Sequence, residues 1–562
     1  MKKIFSVIGC VLLLLPAVAA AQVTQNFIVP AGDWDVAANW DSGTVPADGD
    51  SAFINNGGEG DLSVDTATIL DLGVGQGVGV SGSLVHTAGT LSSADGWIRI
   101  GGDGGLGTYE MSGTAALEAV HFNPGDQRVF VGHGGGGDGT LIMSDSASIT
   151  TSGIFSVGDS GGMGTVTLND EASVTADGIR FTGSVMGTIN INDDATFQAN
   201  SIHLGNPDAT INVNQNGGRL TSNNWIGIAN EGGGNVVYNI SAGQMVSMGD
   251  ILTVGEDGNG TLNVSGTADI QANGIAMTIG RNDSSIGRLS ITGSTATISV
   301  NDLLVDNPTA FGNSGGIGWI ADAGGVTPIR SLDNTEFGDD AVLVVDLTAD
   351  ANFAQFGPTG TPTEIVLIQN AFPASGTFTG LPEGASVDIG GGKTATISYA
   401  GGSGSDIVLD VLVGAGGGGF VPPAAFTVFR GVQLTGAIGD FLASDDVRAE
   451  YNPGFTLNDL EAPIWLIFDG NAPSSNEFIV ESQAGTPGLT YTMEAWNFTT
   501  NAFEIIDTQP ESFNVDVITS FPITADNIDS NGDVQSRVGW RQTGFIINFP
   551  WVARVDQVGW NQ

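Results

Sequence analysis

The sequence has one cysteine among its 562 residues, Cys10, and it sits inside the apolar start of the chain. A chain cut after that start has none, which excludes disulfides and thiol chemistry even in an oxidising compartment. Basic residues are scarce: 15 Lys and Arg face 61 Asp and Glu, for a formal net charge of −46. Such a surface repels nucleic acid and anionic membranes, and it suits a salty or calcium-rich exterior. Aromatics are only 7% of the residues. No helical period extends over a useful length, which sets aside helical architectures.

Glycine is abundant, at 86 residues, and 41% of the chain is hydrophobic. That pairing argues against disorder and for many short strands joined by tight turns. The start reads as a secretory signal over 1–21. Lys2 and Lys3 are its basic region, Ile4 to Leu15 its apolar core, and Ala19-Ala20-Ala21 supplies small residues before a cut ahead of Gln22. The apolar run is too short to span a membrane, so no span is expected after its removal.

From about Leu72 to Val305 one phrase recurs. A short strand ends in Ile-Gly or Val-Gly, as at Ile100-Gly101, Val131-Gly132, Val157-Gly158, Val254-Gly255 and Ile279-Gly280. A Gly-Thr step follows, as at Gly107-Thr108, Gly139-Thr140, Gly164-Thr165, Gly187-Thr188 and Gly260-Thr261. Within Thr140 to Gly158 three short alternations can be read, each at strand period. Three strands per coil with glycine at the corners predict a parallel β-helix. Stacked coils share backbone hydrogen bonds and one apolar core, and the amides of Asn190, Asn192, Asn212 and Asn214 are placed to ladder between coils. Right-handed winding is expected from the crossover preference. The expected order is a cap over 22–71, repeat coils over 72–307, a terminal β-helix section over 308–413, a Gly/Pro linker over 414–426, and a final domain over 427–562.

The stretch Trp34…Asn39-Trp40…Pro46…Asp50 resembles the opening of many secreted bacterial β-helix proteins. Gly376-Thr-Phe…Leu381-Pro-Glu-Gly, then Tyr399…Gly401-Gly402…Asp406-Ile-Val-Leu409, resembles the close of passenger domains with autotransporter-associated β-strand repeats. The likeness spans roughly residues 30 to 413 and implies architecture rather than activity. No membrane β-barrel follows, so self-translocation is not implied.

Beyond the linker the composition changes: five of the ten tryptophans lie there, and all four histidines precede it. Short alternating runs over 464–468, 478–481, 491–497, 503–506, 538–541, 545–549 and 553–558 predict an antiparallel β-sandwich. Trp496 to Asp507, Arg537 to Arg541 and Arg554 to Trp560 resemble a galactose-binding-like jelly roll. The fold expected overall is all-β, a right-handed parallel β-helix followed by a jelly-roll-like sandwich.

Candidate sites are few. Asp526, Asp529, Asn531 and Asp533 surround Gly532 in an oxygen-rich stretch of the kind that binds calcium, although the bidentate Glu of a helix-loop-helix site is lacking and a plain surface turn competes. Gly401 to Leu409 fits one calcium nonapeptide, but that mechanism needs consecutive copies. Trp496 and Trp551 are candidates to stack on sugar rings, whereas Trp465 and Trp560 are expected to fill the core. Gly132-His133-Gly134 and Asp193-Asp194 imitate polygalacturonase motifs in reversed order. His133 is expected to be a solvated loop residue and the aspartates a turn. No catalytic constellation is visible. The composite reading is a secreted or cell-surface scaffold or adhesin whose sandwich engages extracellular polysaccharide or cell-surface glycan, with structural Ca2+ as the one cofactor considered. A polysaccharide-active lyase or hydrolase on the same rod, or a carbohydrate-binding protein with the rod as spacer, are the alternatives.

Overall fold

Leu84, Tyr109, Leu141, Val166, Ile189, Val213, Tyr238, Leu262, Leu289 and Ile317 stack one above another, each paired in parallel register with the next. All are buried. The computed structural model describes residues 23–561 except 121–125, 183–185, 283–284, 307–313, 358–360, 414–419, 442–447, 455–461, 474, 476, 514, 516 and 543–550. The expected signal segment, residues 414–419 of the expected linker and the strand expected over 545–549 lie outside the described residues, whereas the rest of that linker is held by the Val421–Trp560 bridge and a strand from Ala425. The chain divides into two compact units, the first ending at Leu412 and the second beginning at Val413.

The first unit is a β-solenoid of about 12 turns. Each coil contributes strands to three columns of parallel neighbours. In one coil these are Asp138–Met143, Ser148–Thr151 and Ile154–Asp159. The Gly-Thr phrase opens the first column, because Gly139 packs against the corner glycine Gly132 and the carbonyl of Ile100. Gly132 itself has φ +76, and a Cβ there would lie 1.8 Å from the Met163 carbonyl oxygen on the next coil. Only glycine combines that backbone with that approach. Amides ladder where their positions coincide: Asn214 donates to Asn190 (3.0 Å), Asn239 to Asn214 (3.1 Å) and Asn263 to Asn239 (2.8 Å). Asn192 likewise donates to Asn169 and accepts from Asn216. Asn212 stands between Thr188 and Val237, so it has no amide neighbour and does not join a ladder.

Both ends differ from the middle. At the first, Trp34, Trp40 and Phe27 are 1% exposed and pack edge to face, and Trp40 Nε1 donates to the Trp34 carbonyl. Towards the other, strands Ser386–Asp388, Thr394–Gly401 and Asp406–Val413 pair antiparallel, so the coil pattern does not run unchanged to residue 413. The Gly376 to Ala385 segment is mostly turns. Its Phe378 is buried against Phe337, and the Phe378 N–H donates to Tyr399 Oη, which donates onward to the Leu381 carbonyl.

The second unit is an antiparallel sandwich. One sheet has the order Ala425–Arg430, Ile464–Asn471, Asp533–Gln542, Leu489–Asn497, Ala502–Pro510. The other is Val432–Thr435, Ala449–Asn452, Ala553–Asn561, Glu477–Ala484, Val517–Pro522. Phe468, Phe478, Trp540, Trp551 and Trp560 fill the space between them.

The corner geometry yields a prediction. Gly132→Ala is expected to cost about 3 kcal/mol or more in urea unfolding, through the positive φ and the backbone clash. Gly135→Ala, in the same loop with nothing within 4 Å of its Cβ position, should be near neutral.

Candidate functional site

The outward face of the sheet containing Trp465 gathers aromatic and charged side chains. On Ile464–Asn471, Ile464, Leu466 and Phe468 are buried, so Trp465, Ile467 and Asp469 face out. On Asp533–Gln542 the same parity turns Val534, Ser536 and Val538 inward and Gln535, Arg537 and Gly539 outward. Antiparallel register sets Trp465 opposite Gly539 and Ile467 opposite Arg537. On the other side Arg537 faces Glu494, and Glu494 faces Ile505.

Gly539 lets the indole lie down. A Cβ at this position would meet three Trp465 ring atoms at 2.6 Å, so any larger residue would lift the ring off the sheet. The Arg537 guanidinium bridges the face, its central carbon 4.6 Å from the Trp465 ring centroid and 4.1 Å from that of Phe503. Glu494 fixes it by accepting from Nε at 2.6 Å and by a further close contact with Nη2. Trp496 packs edge to face on Phe503, with centroids 5.1 Å apart. Ile505 and Phe429 are exposed at 67% and 57%. The face therefore sets apolar surface of Trp496, Phe503, Ile505 and Phe429 beside Glu494, Gln535 and Asp469, with the Arg537 guanidinium lying over the Trp465 and Phe503 rings. Such surface packs against the C–H faces of a pyranose while the polar groups serve its hydroxyls.

The sequence-predicted residues divide. Trp496 is half-buried at the edge of this face. Trp551 is 2% exposed and belongs to the core, so its ring has no free side for a ligand. Trp560 is in the core as expected, its Nε1 donating to Ser536 Oγ. Trp465 departs from its expected core role. The run Ile464 to Phe468 is apolar throughout, and parity between the two faces shows only once the partner sheet is in place.

In the acidic stretch Asp529 accepts from the N–H groups of Asn531 and Asp533 and from the Asn531 amide, closing a tight turn at Gly532. Those bonds, led by the Asp533 N–H, hold its carboxyl below the usual range. Asp533 accepts from Asn471, and Asp526 from Thr499. Among the described residues no three His, Cys, Asp or Glu side chains converge as a metal site requires, so Asp526, Asp529 and Asp533 are not drawn together. In the single nonapeptide, Asp406 accepts from the Asn370 and Ser403 N–H groups.

On the solenoid His133 is not a solvated loop residue. Parallel register sets it beside Asp159 of the next coil, with Nδ1 2.6 Å from Oδ2, and its ring packs on Phe130. The signal was a coil step of 26 residues, His133 to Asp159, hidden by unequal repeat lengths. Asp193 is a turn residue: with φ +52 it accepts from the Asp170 N–H, as Asp170 does from that of Asp145. Glu256 pairs with Arg281 at 2.5 Å. Burial pushes its carboxyl up to about 7, against the pull of Arg281.

Two predictions follow from these placements. In urea unfolding, Trp551→Ala should lose about 3–5 kcal/mol, and Trp465→Ala only about 1 kcal/mol. Glu256 binds its proton more tightly folded than unfolded, so its contribution is full below pH 4.5 and fades as pH rises towards 7. Glu256→Gln should flatten the fall in melting temperature over that window.

No family model and no curated protein matches this chain. Among the solved structures similar to parts of it are two of low sequence identity. One is a variant of a family 29 carbohydrate-binding module, at 10% identity and TM-score 0.15, covering 24% of this chain and 90% of that one. The other is the enzymatically active domain of bacteriophage CBA120 tailspike protein 4, at 11% identity and TM-score 0.23. There the match covers 85% of this chain and 64% of the tailspike chain. Likeness at this level carries no functional argument.

Proposed function

We propose that the protein is an exported scaffold in which the β-solenoid is a rod and the sandwich binds glycan at the cell surface or outside it. The observation that carries the reading is Trp465 laid flat on Gly539 and locked by Arg537 between two aromatic rings. A ring held this way loses little conformational freedom on binding, which favours a weak-contact ligand such as a sugar. Glu494 and Arg537 supply paired acceptor and donor groups at its edge. The signal-like start supports an exterior destination. The acidic surface disfavours nucleic acid.

The test is a glycan array probed with the full chain and two variants. Trp465→Ala and Gly539→Val should each weaken retention on the preferred glycan by about tenfold or more, a loss of roughly 1.4 kcal/mol, without a large drop in melting temperature. Unchanged retention by both variants would end the assignment of this face.

A further inference from the structure

The third strand of each coil carries a row that the sandwich does not share. Parallel register aligns Arg99, Phe130, Ser156, Arg180, His203 and Gly227 on successive coils. Their chain neighbours Ile98, Ile100, Val129, Val131, Phe155, Val157, Ile179 and Ile202 enter the core, so the row is turned away from it, with Arg99, Arg180 and His203 partly exposed and Phe130 and Ser156 buried between the arginines. In a chain with 15 basic residues against 61 acidic ones, two arginines and a histidine here fall in one line.

Aromatic rings flank that line. The Arg99 guanidinium lies 4.1 Å from the Trp97 centroid. The Trp225 ring lies over Gly227, where a Cβ would meet it at 2.9 Å, and its centroid is 4.4 Å from that of His203. Among the described residues, three buried donors along the row meet no acceptor: Arg99 Nε, Ser156 Oγ and Arg180 Nε. Ser156 is 0% exposed. A buried donor without an acceptor is destabilising, and for a cation more so. The carboxylates near Arg99 are Asp103, Asp71 and Asp159, which act on it through space, and Asp159 is engaged by His133. His203 is held neutral, its imidazole pushed down to about 4 by burial and then by Arg180. Across the bend before Arg180 lies a groove of about 330 Å³ where Asp177, Gln198, Asn200 and Asn223 stand among the apolar Ala176 and Ala199.

We propose that this row is a second ligand site, for a linear polysaccharide bearing carboxylate or sulfate groups. Its acid groups sit on Arg99 and Arg180 and a sugar ring packs on Trp225. The two arginines are three coil steps apart, roughly 14 Å at about 4.8 Å per step. An extended polymer bridges that distance and a monosaccharide does not. Sparse cations in an acidic surface suit widely spaced acid groups better than the dense phosphates of nucleic acid.

The experiment is affinity electrophoresis of the full chain in gels containing polygalacturonate, a sulfated galactan or neutral dextran. Retardation by either acidic polymer and not by dextran is expected, and the polymer that retards identifies the acid group. Arg99→Gln combined with Arg180→Gln should weaken binding about tenfold or more, and Arg180→Lys should fall between, because lysine keeps the charge and loses the fork. Loss of retardation in the arginine variants, which leave Trp465 and Gly539 intact, separates the site from the sandwich. Melting curves check folding; should the double variant unfold, Arg180→Lys and Trp225→Ala carry the test. No retardation by either acidic polymer, equal retardation of the wild type and the folded variants, or equally effective displacement by DNA would overturn the proposal.

Discussion

Backbone hydrogen bonding between coils is the constraint on which the solenoid depends. A parallel ladder fixes each residue beside its counterpart one coil away, so whatever the chain places at a position is repeated along a line. The apolar line from Leu84 to Ile317 becomes the core. A line of glycines becomes a corner, because the next coil's carbonyl occupies the space a Cβ would need. A line of asparagines becomes an amide ladder. Where the line is mixed, as from Arg99 to His203, side chains from distant parts of the sequence form one surface.

The sandwich builds its surface differently. Its strands are antiparallel and come from across the second unit, so the outer face depends on register between non-consecutive strands. Trp465 and Gly539 meet because Ile464–Asn471 pairs with Asp533–Gln542. A missing side chain on one strand makes room for a large one on the other, and Arg537 then closes over the seam. Both units thus use glycine to set an aromatic ring flat, Gly227 beneath Trp225 and Gly539 beneath Trp465. In each case the second partner is an exposed or half-buried cation or imidazole.

Much of the solenoid was legible in advance. The Val-Gly and Gly-Thr phrases are short-range, and steric demands at a corner act on the residue that occupies it. The asparagine ladder was legible too, except at Asn212, where the amide's counterparts are Thr188 and Val237. The closing section is less legible: Gly376 to Ala385 has strand-like composition, yet Phe378 and Tyr399 hold it as turns. In the sandwich strand parity sorts the tryptophans: Trp465 and Trp496 lie on an outer face, and Trp551 lies in the core. Tryptophan suits a core and a platform equally, and only the partner sheet decides which.

Local sequence alone determined that this chain is all-β, that glycine-cornered coils stack, and that a second, tryptophan-rich unit follows. Those properties rest on strand period, turn chemistry and composition, which act over a few residues. Only the tertiary structure decided which polar groups meet. His133 reaches Asp159 across 26 residues, and Arg537 reaches Glu494 across 43. Such pairs are set by register, and register is fixed by the whole stack of hydrogen bonds rather than by either residue.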